Sequence, residues 1–348
     1  MRERTFTRGL YAVTGAATSL FLIYAFAHPV SPTSVKVTAK ASSARHTPVA
    51  SASSTSASHS ASIGSLLDPT KKYLGIAQDN VPSSMADLSS LNKAIGKKPN
   101  MIEYYVPWGQ PLNQTWVLNL VNDGILPLIQ FEPAKPSTTA IASGASDAYA
   151  TTLAETIKNL DVPIVFSFGH EMNGNWFNWG TQDTSAADFV KAWRRIHDIF
   201  TKVGASKVIW LWDVNVTYPV PNIALQPLYP GDAYVDWIGL TGYYNIGAGG
   251  RSTFDTLFEP TMEQVRGFSQ KPFLIAETGV SPSSEKPTEI RDLFSGVADR
   301  ADVLGFVWFN YDKPGKNETN WMINSDPTSA ATFASLAQSS DWGFPITP

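Results

Sequence analysis

The sequence contains no cysteine. That excludes disulfide staples, thiol nucleophiles and thiolate metal sites. At 348 residues the chain can bury a core large enough to do without cross-links. Histidine is scarce as well: of five, His28, His46 and His59 are scattered through a polar N-terminal stretch, leaving only His170 and His197 beyond it. With two histidines, no G-x-S-x-G turn and no H-E-x-x-H pair, serine hydrolases and zinc hydrolases find no support. A basic face is missing too. Residues 66–348 hold 20 Lys and Arg against 29 Asp and Glu, so nucleic acid is not an expected partner. The Gly247–Gly250 cluster lacks the G-x-G-x-x-G spacing and reads as a loop rather than a dinucleotide site. No cofactor and no metal are expected.

Aromatic residues are plentiful, at 12%, with 11 tryptophans. The chain divides by composition into three parts. Residues 1–27 begin with Arg2, Arg4 and Arg8 and continue as an uncharged, mostly apolar run from Gly9 to Ala27, ending in an A-x-A site at Ala25-Phe26-Ala27. This is the pattern of a signal peptide, and the run is also just long enough for an N-terminal membrane anchor. In both cases the arginines precede the apolar run, which places the domain outside the cytoplasm. Residues 28–65, dominated by Ser, Ala, Thr and Pro, cannot bury enough apolar surface to offset their ordering entropy and read as a linker. Residues 66–348 form a single domain, expected to be monomeric.

In that domain, apolar runs alternate with helical patterns. Strands are predicted at Tyr73–Ala77, Met101–Val106, Leu126–Phe131, Val162–Phe168, Lys207–Trp212, Val235–Leu240, Pro272–Ala276 and Val303–Phe309. Helices are predicted at Ser84–Ile95, Trp116–Asn122, Asp147–Leu160, Ala186–Val203 and Glu289–Arg300, among others. Eight strands in βα alternation within one domain length favour an α/β fold closed as a (β/α)8 TIM barrel.

The most informative stretch is Phe166-Ser-Phe-Gly-His-Glu-Met-Asn-Gly-Asn-Trp-Phe-Asn-Trp-Gly180. It starts as a buried parallel strand and turns abruptly polar at His170, Glu171 and Asn173, with Trp176, Phe177 and Trp179 beside them. A second stretch, Lys271 to Gly279, has the same design, an apolar strand leading to one glutamate, Glu277. A lone loop glutamate is more often a salt-bridge partner. Two of them at the ends of barrel strands, flanked by rings able to stack on sugars, match the acid/base and nucleophile of a glycosidase.

Several blocks together resemble glycoside hydrolase family 26: Gly169-His-Glu-Met-Asn-Gly174 with Trp176, Ala192-Trp-Arg194, Tyr229-Pro-Gly-Asp232, Val235-Asp-Trp-Ile-Gly-Leu240 and Ile275-Ala-Glu-Thr-Gly279. The resemblance runs from about Leu66 to the C-terminus. It implies a retaining endo-β-glycanase on a (β/α)8 barrel that acts on a β-linked polysaccharide, β-1,4-mannan first. Mixed-linkage β-glucan and β-xylan are alternatives served by the same two carboxyls. By the resemblance, Glu171 is the acid/base and Glu277 the nucleophile. His170 bonds the sugar or orients the carboxyl, Trp176 is a subsite tryptophan, Tyr243 lies beside the nucleophile with Tyr244 as its rival, and Trp308 is the platform beneath the reacting sugar. The family more often has Asp where Thr241 stands, a departure that bears on substrate choice.

Other residues are open to two readings. Trp108 and Trp179 could stack on sugar or belong to the core. Gln130, Glu132 and Asp213 could bind hydroxyls or serve the barrel rim. Trp193, Arg194, His197, Asp236 and Trp237 read as scaffold. A carbohydrate-binding barrel without catalysis would be expected to lack one glutamate, and both are present.

Overall fold

The computed structural model describes residues 63–217, 223–245, 250–315 and 318–346. The targeting segment 1–27, linker residues 28–62 and residues 247–249 of the glycine cluster lie outside the described residues. Eight parallel strands close in chain order into a barrel. They are β1 (Tyr73–Gln78), β2 (Met101–Pro107), β3 (Leu126–Glu132), β4 (Ile164–Phe168), β5 (Val208–Asn215), β6 (Trp237–Tyr244), β7 (Phe273–Val280) and β8 (Val303–Asn310). Parallel pairing of β1 with β8 completes the circle.

The helices are α1 (Ile63–Leu67), α2 (Met85–Ile95), α3 (Gln114–Asn122), α4 (Thr138–Ala142), α5 (Asp147–Leu160), α6 (Ala186–Val203), α7 (Phe254–Arg266), α8 (Lys286–Ala298) and α9 (Pro327–Ala337). Their ends carry their own stop and start chemistry. Ser185 accepts the Asp188 N–H at 3.1 Å to begin α6, and Gly204, at φ 86°, ends it. Between them Phe189, Ala192, Trp193, Ile196 and Phe200 recur at three- and four-residue steps and bury one stripe against the barrel. After β8 comes a small antiparallel hairpin, β9 (Asp312–Gly315) and β10 (Glu318–Asn320).

Strand residues divide between two cores. Outward-facing side chains such as Ile102, Ile129, Phe166, Trp210 and Ile275 meet the helices. Inward-facing ones fill the barrel. Its floor is apolar: Tyr73, Met101, Leu126, Ile209, Trp237 and Leu304. Below them α1 plugs the mouth. The Tyr73 hydroxyl donates to the Leu66 carbonyl at 2.7 Å and the Trp237 indole to the Leu67 carbonyl at 3.0 Å, while Phe344 packs on Tyr73. Leu66, where the domain was expected to begin, is part of that plug, and helix α1 starts three residues before it.

Two interruptions of strict alternation matter. In β8, Leu304, Val307 and Phe309 face inward, while Phe306 and Trp308 face outward. The phase changes at Gly305, whose φ is 154° and where a Cβ would stand 2.3 Å from the Tyr73 carbonyl oxygen. β7 shifts register against both neighbours after Ile275 and Gly239. Such bulges re-aim a side chain, and here Ala276 lines the lumen while Glu277 next to it reaches the phenols inside.

The bulge at Gly305 corrects one expectation. Trp308 is not a platform in the lumen. It is fully buried on the outer face of β8, edge-on to Phe333, and its indole N–H donates to the Trp321 carbonyl at 2.8 Å. The tryptophan beside the site is Trp321, which packs against Tyr243 at 4.5 Å. Trp308→Ala is therefore expected to cost about 3–5 kcal/mol of unfolding free energy, measured by denaturant titration. Wild-type stability with weakened sugar binding would return Trp308 to the lumen.

Candidate active site

Going up the barrel, the inward positions change from apolar to polar. Above the floor come Glu103 on β2, Gln130 on β3, Ser167 on β4, Asp213 on β5 and Thr241 on β6, each no more than 1% exposed. At the carboxyl rim, where barrel strands give way to loops, lie Tyr105, Glu171, Asn215, Tyr243 and Glu277. This is the end at which such barrels do chemistry.

Glu171 follows β4 by three residues and adopts φ 53°, the left-handed region that a residue with a Cβ seldom enters. Its surroundings hold it there. Its N–H donates to the Asp213 carbonyl at 2.9 Å, and its own carbonyl accepts the Gly174 N–H at 2.9 Å. The carboxyl takes one bond from Asn215 Nδ2 and another from the Trp176 indole at 3.0 Å. Asn173 pairs with the backbone of Asn215, donating to its carbonyl at 2.7 Å and accepting its N–H at 2.9 Å, so the motif loop is tied to β5 as a further strand would be. Gly174 is a glycine for space, since a Cβ would sit 2.5 Å from the Trp176 ring.

Glu277 receives two phenol hydroxyls, Tyr105 on one oxygen and Tyr243 on the other. The rival Tyr244 points away from the lumen and donates to Asp292 at 3.0 Å. Lys313 on the hairpin lies over the rings of Phe309 and Tyr311, at 4.5 and 5.3 Å.

The electrostatics separate the two acids. Burial pushes both carboxyls up. For Glu277 the two phenols and Lys313 oppose that rise. For Glu171 the charge of Glu277 adds to burial, and the bonds from Asn215 and Trp176 recover only part. The arrangement therefore keeps Glu171 protonated while Glu277 is ionised. Glu132, half-buried at the end of β3, is pushed up to about 7 by burial and by Glu277.

His170 is buried and lowered to about 3, hence neutral. Its ring lies between Tyr105 at 5.6 Å and Phe177 at 5.1 Å, and its Nδ1 has no protein partner. Trp179 supports it from below by donating to its carbonyl at 2.7 Å, and Trp108 is wedged edge-on against Phe131, Phe168 and Tyr149; both tryptophans are scaffold. Asp236 accepts the Trp210 N–H at 2.9 Å and Arg194 donates to the Pro230 carbonyl at 2.8 Å, tying loops to the barrel. Among the described residues no group of three His, Asp or Glu side chains could hold a metal ion.

Of the six residues marked from sequence, Glu171, Glu277, His170, Trp176 and Tyr243 meet at this rim and Trp308 does not. Tyr105, Asn215, Glu103 and Trp321 were not marked. Tyr105 and Glu103 carried a signal, because with Met101 they occupy every second position of β2, and an acid in the middle of such a run has to face something polar.

Residues 91–279 match the family model of glycosyl hydrolase family 26. Among curated relatives, Endoglucanase H of Acetivibrio thermocellus is 29% identical over 267 residues, covering 72% of this chain and 29% of that protein. Mannan endo-1,4-beta-mannosidase A and B of Caldalkalibacillus mannanilyticus is 25% identical over 181 residues, covering 49% and 33%. The chain thus spans about a third or less of the length of these two relatives. A GH26 β-mannanase structure from Bacteroides ovatus superposes with a TM-score of 0.60 at 16% identity, covering 81% of this chain and 94% of that one. A Bacillus subtilis mannanase gives 0.56 at 17%, covering 82% and 90%. At such identities the structural likeness speaks for the barrel.

Two outcomes are expected from these contacts. Tyr105→Phe removes one donor from Glu277, so the acid limb of the pH–rate profile should move to higher pH and the rate fall about 10²-fold. The second concerns stability. Asp213 ionises near pH 4 in an unfolded chain, but burial raises it to about 8 in the fold. Its stabilising contribution is complete below the unfolded value and is lost as pH rises toward 8, at up to about 1.4 kcal/mol per pH unit. Urea midpoints should fall between pH 5 and 8, and less steeply in Asp213→Asn. Equal slopes in the two proteins would show that Asp213 is not a buried neutral acid.

Proposed function

This chain belongs to glycosyl hydrolase family 26, and from that premise we propose that it is an exported, retaining endo-β-glycanase. The observation that carries the reading is the unequal treatment of two acids at one rim. Two phenols and a nearby lysine favour the ionised form of Glu277, whereas Glu171 is buried beside that negative charge.

The steps follow from this difference. Glu277 attacks the anomeric carbon while Glu171 gives its proton to the glycosidic oxygen, and the leaving chain departs as an alcohol. Once Glu277 is an ester its charge is gone, and with it one cause of the raised Glu171 pKa. Glu171 is then easier to ionise and takes a proton from the water that cleaves the ester. His170, neutral and packed between Tyr105 and Phe177, orients the wall of the site beside one of the nucleophile's donors. Trp321 supplies the aromatic wall beside Tyr243. Export is supported by the basic start and apolar run of residues 1–27.

The substrate is a β-linked polysaccharide. β-1,4-Mannan is supported by the relatives named as mannan endo-1,4-β-mannosidases. A β-glucan is supported by the wider match to a protein named Endoglucanase H. Thr241 gives its hydroxyl to Asp213, at 3.2 Å, so the carboxyls of this layer stand on β2 and β5 and none on β6. Reducing-sugar release from mannan, lichenan, xylan and cellulose separates these substrates, and no release from any of them rejects the reading. Glu277→Ala should abolish turnover of every substrate. Glu171→Ala should retain the first step on an aryl glycoside with a good leaving group and be rescued by azide as a β-glycosyl azide. An α-glycosyl azide would reverse the stereochemical assignment.

A further inference from the structure

The layer beneath the two glutamates holds groups that take no part in the two displacements. Gln130 Nε2 donates both hydrogens, one to Glu103 Oε1 and one to Asp213 Oδ2, each at 2.8 Å. Thr241 Oγ1 lies 3.2 and 3.3 Å from the two oxygens of Asp213. Two acceptors remain without a protein donor, Glu103 Oε2 and Gln130 Oε1. They belong to the two groups already joined by one N–H···O bond. Among the described residues no cationic side chain bonds to either carboxyl. A primary amide and a neutral carboxylic acid pair through two parallel bonds, and a proton on Glu103 Oε2 would provide the second. An ionised Glu103 leaves both atoms orphaned, a state buried polar groups seldom adopt.

The network also reaches the acid/base. The Asp213 carbonyl accepts the Glu171 N–H, and two residues on, Asn215 bonds both the Glu171 carboxyl and Asn173. Whatever fixes Asp213 therefore fixes the stretch from which Glu171 is held in its left-handed conformation. We propose that Glu103 is a neutral acid closing a cyclic acid–amide pair with Gln130, and that this pair acts through Asp213 as a positioning network for Glu171. The groups facing Glu103 agree. Glu277 from β7, Asp213 from β5 and Glu171 beyond β4 are acids, Tyr105, Tyr243 and Tyr311 are phenols, and none is basic. Burial first and then Glu277, with lesser contributions from Asp213 and Glu171, raise Glu103 well above the usual range against the pull of the Gln130 bond.

The proposal rests on the acid/base reading of Glu171, and its test separates the two. In Glu103→Leu and Gln130→Met, turnover of the polysaccharide should fall about 10–10²-fold with KM little changed. An aryl glycoside whose leaving group needs little protonation should lose far less. Glu103→Gln should restore polysaccharide turnover to within about threefold of wild type, because its amide repeats both bonds of the neutral acid. Equal losses on both substrates would reduce the network to structural support, and a Glu103→Gln protein as impaired as Glu103→Leu would show that the charge is required. The proton is read without any substrate. The infrared spectrum at pH 7 should contain a protonated-carboxyl stretch that Glu103→Gln removes, and an unchanged spectrum overturns the proposal. Should Glu103→Leu fail to fold, the infrared band and Glu103→Gln decide; should no glycan be cleaved, the infrared band alone judges the proton.

Discussion

Four carboxyl groups, those of Glu103, Glu171, Asp213 and Glu277, interact inside one closed barrel, and among the described residues only Lys313 of the hairpin brings a positive charge to bear on any of them. Such a cluster cannot be fully ionised, because burial and mutual repulsion both favour the neutral form. The donors available are few: two phenols, two side-chain amides, an indole and a hydroxyl. Where those donors point decides which acid keeps its charge. Both phenols go to Glu277, which makes it the most favourable place for the negative charge, and the remaining carboxyls are left to hold protons. The chemistry at the rim follows from this unequal distribution.

The distribution in turn depends on backbone irregularities. Strict alternation along β7 would put Ala276 inside and turn Glu277 toward the helices; the register shift after Ile275 brings Glu277 to the phenols. Glu171 reaches the rim through a left-handed turn that its side chain disfavours, at a cost of about 1 kcal/mol, offset by the bonds to Asp213, Gly174, Asn215 and Trp176. Both glutamates therefore sit at deviations from ideal geometry, while the regular part of the barrel below them is apolar and closed by α1 and Phe344. Order at the floor lets the rim carry strain.

The same contrast between regular floor and irregular rim governs what could be read from sequence. The eight strands were legible because parallel barrel strands are buried on both faces and appear as continuous apolar runs, from Tyr73 through Val303. Helices α5 and α6 were legible to the residue, α5 from its apolar stripe and α6 because stripe and caps coincide. Helix α7 is less plain, since Pro260, a residue that disfavours helix interiors, stands inside it. Strands β5, β6 and β7 run several residues beyond their apolar runs, because their final residues are the polar ones that build the site. Of the site itself, the residues within contiguous motifs were found, and those that converge from other strands were not. Trp308 shows the limit most clearly. The family resemblance implied a lumen residue near the end of β8, and one glycine three positions earlier turned it outward.

The outward turn does not remove Trp308 from the site's logic. Its indole donates to the Trp321 carbonyl, and the Trp321 N–H donates to the Tyr311 carbonyl at 2.8 Å, so the segment after the hairpin is clamped on both sides of one residue. Trp321 then lies against Tyr243 and over Gly279, where a Cβ would approach its ring to 3.0 Å. Tyr243 is one of the two donors on Glu277. A buried tryptophan on the helix side of β8 is thereby linked, through one carbonyl and one ring contact, to the phenol that keeps the nucleophile charged. The outer core and the lumen are separate clusters by packing, but at this corner they share a single hydrogen-bonded chain. The electrostatics of Glu277 therefore depend on the packing of the outer core as well as on the groups that touch it.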